Sequence, residues 1–143
     1  MQRQTAADVI RLVSLASLAA IGFAGGAAAS STVYGPTGTA ACMRATGASV
    51  ARAPGIVSST FPEIRSAIYW RFSPATTITI MFTPNASDAG ELAQDLRLAT
   101  YSIGLTRAQV KSTVRRLGNA VWTNNGFPGP TLEQNALIGR CLH

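Results

Sequence analysis

Two cysteines, Cys42 and Cys141, bracket most of this 143-residue chain, so a bond between them would tie the whole fold together. A metal site would need clustered Cys and His, and the only histidine is His143. A thiol nucleophile would need a His base oriented by a third group, a role for which His143 is a poor candidate. In an oxidising compartment two cysteines without further partners pair with each other. The expected Cys42–Cys141 bridge closes a loop of about 100 residues, for which the chain-entropy model allows up to about 4.7 kcal/mol.

That argument requires export, and residues 1–29 read as the device for it. Arg3 and Arg11 oppose the single Asp8 and lead into the uncharged segment from Leu12 to Gly25, followed by small residues at Ala27 and Ala29. A positive segment, a short apolar segment and a small-residue site form a signal peptide, with cleavage after Ala29 and a new start at Ser30. The alternative is a retained anchor, but the apolar run is shorter than the roughly 18 to 20 residues a spanning helix uses. No later run has that length, so the exported product has no expected membrane span and is placed in the cell envelope or outside the cell.

Loss of Arg3, Arg11 and Asp8 takes the 12 cations and 6 acids to ten and five, a net charge of +5. Lys111 is the only lysine among them. Arginine suits phosphate recognition through its planar fork, although a GC-rich genome produces the same bias without any function.

The elements expected in the remainder follow from local pattern. Residues 30–38, rich in Gly, Pro, Ser and Thr, read as a flexible lead-in to one globular domain over 39–143. Thr39 caps a helix from Ala40 to Thr46 that Gly47 stops, and a strand follows over 48–53. Ile68, Trp70 and Phe72 alternate with Tyr69 and Arg71, and Ile78, Ile80 and Phe82 alternate with Thr77, Thr79 and Met81. Two such runs joined at residues 73–75 make a hairpin, each strand with one apolar face. Three helix starts carry a cap followed three residues later by an acid or amide: Asp88 with Glu91, Thr106 with Gln109, and Thr131 with Gln134. Gly104 stops the first of these helices. Val110, Val114 and Leu117 form the inner stripe of the next, and residues 119–123 make a fourth strand. The expected fold is α+β: a mainly antiparallel four-stranded sheet with helices packed on one face and the terminal helices joined by the disulfide.

Few chemistries fit these residues. No G-x-S-x-G elbow and no phosphate-binding glycine loop is present, and no cofactor or nucleotide is expected. Asp88, Glu91 and Asp95 share a helix start, where negative charge favours the helix dipole more simply than it binds a cation. Asn85–Ser87 matches a glycosylation sequon, a three-residue pattern of low specificity. The one positive cue is Arg107, Lys111 and Arg115, spaced four apart and expected on one helix face opposite Val110 and Val114, with Arg116 adjacent. Such a stripe meets an anionic polymer or is a solvated face. The expected role is a non-catalytic exported domain that binds an anionic envelope polymer or an envelope protein. The alternative is a small hydrolase using two carboxylates without histidine.

Overall fold

The computed structural model describes residues 32–53, 61–73, 76–124 and 129–143, all within a compact unit, Ser31–His143. The expected leader over 1–29, residues 54–60 and 125–128, and the hairpin tip at 74–75 lie outside the described residues. The elements run α1 (Pro36–Ala45), β1 (Ser49–Arg52), β2 (Ser66–Ser73), β3 (Thr76–Phe82), α2 (Ala86–Ser102), α3 (Arg107–Thr113), β4 (Val114–Leu117), β5 (Ala120–Asn124) and α4 (Leu132–Cys141). The sheet has the order β1-β2-β3-β5-β4 and every neighbouring pair is antiparallel. It therefore contains five strands rather than the expected four.

The fifth strand comes from the segment expected to finish a helix. Val110, Val114 and Leu117 have helical spacing, yet α3 ends at Thr113 and the backbone of Val114 is extended. Two local devices end the helix. The hydroxyls of Ser112 and Thr113 both donate to the Gln109 carbonyl, each at 2.7 Å, which draws that carbonyl away from regular helix bonding. Gly118 then adopts φ +54°, and Leu117 pairs directly with Ala120 across the two-residue turn Gly118–Asn119. A glycine at the first position of a two-residue loop matches the twist of a hairpin.

The sheet also carries helices on both faces, which corrects the expected one-sided packing. In β3 the five residues from Ile78 to Phe82 are all buried, as a central strand covered on both sides must be. On one face Ile68, Trp70, Ile78, Ile80, Phe82 and Trp122 form a core with Met43 of α1 and Ile138 of α4. On the other, Ala67, Met81, Val114 and Val121 pack with Ala89, Leu92 and Ala93 of α2. Removing one such Ile or Phe from water contributes about 1.5–3 kcal/mol.

Capping sets the helix starts. Thr106 and Thr131 form capping boxes with Gln109 and Gln134, as expected. For α2 the cap is Asn85, whose side chain accepts from the Asp88 N–H at 2.9 Å, so this helix begins before the expected Asp88 cap. For α1 the first turn is Pro36–Gly38, earlier than the expected Thr39 cap, because proline at the first helical position has its φ already set. Thr39 lies inside the helix and donates to the Gly35 carbonyl at 2.8 Å.

The ends of the unit are joined twice. Cys42 and Cys141 form the expected disulfide, linking α1 to α4 with a Cα–Cα distance of 5.3 Å. The Gly35 N–H donates to the His143 carbonyl at 2.7 Å. Asn119, 2% exposed, accepts from the Tyr34 N–H at 2.7 Å and donates to the carbonyls of Tyr34 (3.1 Å) and Thr83 (2.8 Å).

Gly118 and Gly47 give a matched test of the turn. Both have positive φ, but a Cβ at Gly118 would lie 2.7 Å from Tyr34 Cε2, whereas one at Gly47 would meet nothing within 4 Å. Gly47→Ala should cost only the left-handed backbone penalty of about 1–2 kcal/mol. Gly118→Ala should lower the denaturant midpoint further, with the slope unchanged. Equal midpoints for the two variants would show that Tyr34 does not pack on the turn.

Candidate anion-binding groove

Four cations of the described residues meet between α2, α3 and β4. A groove of about 630 Å³ is lined by Arg97, Lys111, Arg115 and Arg116 together with Gly90, Gln94, Leu98 and Tyr101. The four cations come from three elements. Lys111 stands in the last turn of α3 and Arg97 on α2. Arg115 and Arg116 are successive residues of β4, placed there by the reversal at Gly118.

Packing holds two of these side chains in position. The Arg97 Nη2 reaches the Val114 carbonyl at 3.4 Å, and the Arg116 Nη1 donates to the Ala86 carbonyl at 3.0 Å. A Cβ at Gly90 would lie 3.1 Å from that Nη1. Glycine inside a helix costs about 1 kcal/mol relative to alanine, and here it lets a guanidinium lie close against the backbone of α2.

The electrostatics are one-sided. No carboxylate lines the groove, and among the described residues none of the four cations makes an ion pair. The acids of α2 behind its first turn, Glu91 and Asp95, are exposed and do not line it. Two of the lining arginines also carry an unsatisfied donor: the Nε atoms of Arg97 and Arg115 are buried and have no hydrogen-bond acceptor among the described residues. A buried donor without a partner carries a desolvation penalty of about 1–3 kcal/mol, more when charged.

The structure corrects the expected stripe. Lys111 and Arg115 do converge, but Arg115 is a strand residue, and the exposed Arg107 at the start of α3 does not line the groove. Arg116, expected beside the stripe, lines the groove from β4, and Arg97 was missed, because only the packing of α2 against β4 brings it to Lys111. The sequence signal that could have found that packing is Gly90, an isolated glycine in a helical pattern that marks a close approach.

Two other clefts frame the comparison. One of about 680 Å³ runs between β2 and α4 and is lined by Trp70, Thr131, Glu133, Gln134, Ala136, Leu137 and Arg140. A smaller cleft of about 90 Å³ lies beside α1, with Arg44 and Arg52 on its walls. None of the three is lined by two carboxylates, so the hydrolase alternative finds no acid pair in them. No group of Cys, His, Asp and Glu among the described residues is arranged to hold a metal. No described helix is long and apolar enough to cross a membrane.

The chain matches no family model, no curated protein and no solved structure.

Crowding of like charge has a measurable consequence. Raising ionic strength from about 0.01 M to about 0.15 M shortens the Debye length from about 30 Å to about 8 Å. The protein should therefore unfold at higher temperature at the higher salt. A lower unfolding temperature at the higher salt would mean that attractive pairs outweigh the repulsion among Arg97, Lys111, Arg115 and Arg116.

Proposed function

We propose that this chain is an exported, non-catalytic domain that binds an anionic component of the cell envelope through the groove between α2, α3 and β4. The observation that carries the reading is the convergence of Arg97, Lys111, Arg115 and Arg116 on one groove that no carboxylate lines, with the Nε donors of Arg97 and Arg115 lacking a partner among the described residues. Guanidinium groups present parallel donors that match phosphate and carboxylate oxygens. The disulfide between Cys42 and Cys141 agrees with export, since such bonds persist in oxidising compartments.

Magnitudes favour a ligand that repeats its charge. Two charge-assisted hydrogen bonds at about 1.5–3 kcal/mol each place a single small anion near the millimolar range, where 1 mM corresponds to about 4 kcal/mol. A polymer or surface that offers many such groups raises the effective concentration of the next one and binds more tightly without a new contact.

Retention on an immobilised polyphosphate column tests this. The wild-type protein should be retained at low salt and elute steeply as salt rises, because released counterions drive such binding. Changing Arg97, Lys111 and Arg115 together to Gln should abolish retention. The same charge loss at Arg52, Arg71 and Arg140, all exposed and outside the groove, should reduce it only modestly. Coincident elution of the two triple variants would reduce the effect to net charge and remove the groove from the account.

A further inference from the structure

The groove is not bordered only by charge. Leu98 and Tyr101 line it while remaining 57% and 39% exposed, and Ile103, which caps the same end of α2, is 75% exposed. Gly104, at φ +86°, then turns the chain toward α3, whose first residue is the exposed Arg107. One end of the molecule thus combines three exposed apolar or aromatic side chains with Arg97, Arg107, Lys111 and Arg115.

A hydrophilic polyanion accounts for the cations but gives no reason for Leu98, Tyr101 and Ile103 to stand beside them. Exposed apolar groups next to unpaired charge mark an interaction surface when they cluster. An anionic bilayer answers both halves: phosphate headgroups meet the cations, and aliphatic and aromatic side chains enter the boundary between headgroup and acyl chain. Tyrosine suits that depth because its ring is apolar and its hydroxyl wet.

Resting on the groove reading above, we propose that its ligand is the surface of an anionic lipid bilayer. The C-terminal end of α2 and the start of α3 dock against that surface, Arg97, Lys111 and Arg115 hold lipid phosphates, and Leu98, Tyr101 and Ile103 insert at the interface. No covalent step is involved. Affinity then depends on two separable terms, a salt-sensitive one from the cations, each worth about fivefold near an anionic surface, and a salt-insensitive one from the apolar side chains.

Co-sedimentation of the disulfide-intact protein with vesicles separates the two. Phosphatidylglycerol vesicles should retain the wild type, and phosphatidylcholine vesicles should retain far less; any contribution of residues 1–29 is common to wild type and variants and cancels in the comparison between them. The combined Leu98→Ser, Tyr101→Ser and Ile103→Ser variant should lose binding to phosphatidylglycerol by at least about tenfold, and Ile103→Ser alone, outside the groove lining, should weaken binding to phosphatidylglycerol while keeping retention on polyphosphate. Those three positions are exposed, and Tyr101→Ser alone should move binding in the same direction if the combined variant melts early. Equal binding of the serine variants and wild type to phosphatidylglycerol overturns the proposal. So does wild-type protein that stays on polyphosphate and ignores phosphatidylglycerol, an outcome that leaves the groove reading standing. Failure on both supports overturns the groove reading itself.

Discussion

Reversal of the chain at Gly118–Asn119 organises both ends of this molecule. The turn sends β4 back along β5, so Arg115 and Arg116 stand on a sheet edge beside α2 rather than along a helix. Its second residue then reaches the other way. The buried Asn119 side chain bonds both backbone groups of Tyr34 and the carbonyl of Thr83, and its own carbonyl accepts from the Thr83 N–H at 2.9 Å and hydroxyl at 3.1 Å. Five hydrogen bonds thus converge on a residue that is almost wholly removed from water, where each partner left unpaired would carry its full desolvation cost. Tyr34 lies two residues before α1, next to its cap Gly35, so the same residue that turns β4 also holds the entry to the helix bearing Cys42.

The two faces of the sheet serve different ends. On one, α1 and α4 close over the larger aromatic and aliphatic core and are joined by the disulfide, with the Gly35–His143 bond alongside. On the other, α2 covers the sheet with small residues, Ala89 and Ala93 beside Leu92, which brings its backbone close to β4. Gly90 continues that approach and admits Arg116. Close packing of a small-residue helix on a basic edge strand is what concentrates four cations in one groove.

Much of this was legible locally. The β2–β3 pairing was readable from period-two alternation, and the capping boxes at Thr106 and Thr131 from cap-to-third-residue spacing. The pairing of two isolated cysteines followed from their chemistry. What failed was the segment from Val114 to Leu117, because Val110, Val114 and Leu117 satisfy a helical stripe while Val114 also suits a strand. The deciding signal was Gly118–Asn119, a two-residue hairpin loop that outweighs spacing once a strand waits on its far side. Placement of α2 on the opposite face was harder to read, since a strand such as β3, with Thr79 and Met81 between isoleucines, looks half-exposed until its partner layer is known. For the groove, Lys111, Arg115 and the adjacent Arg116 were visible together, but Arg97 depends on contacts between separate elements that no local spacing encodes.

If the groove takes up anionic oxygens, the guanidinium groups of Arg97 and Arg115 that line it sense them. Side-chain nitrogen NMR of the arginine Nε–H groups during titration with inorganic polyphosphate tests it at the atoms concerned. The Nε–H resonances of Arg97 and Arg115 should shift first and saturate together, while those of Arg44, Arg52 and Arg140 stay nearly fixed. Uniform shifts across all arginines, or shifts confined to residues outside the groove, would contradict the account.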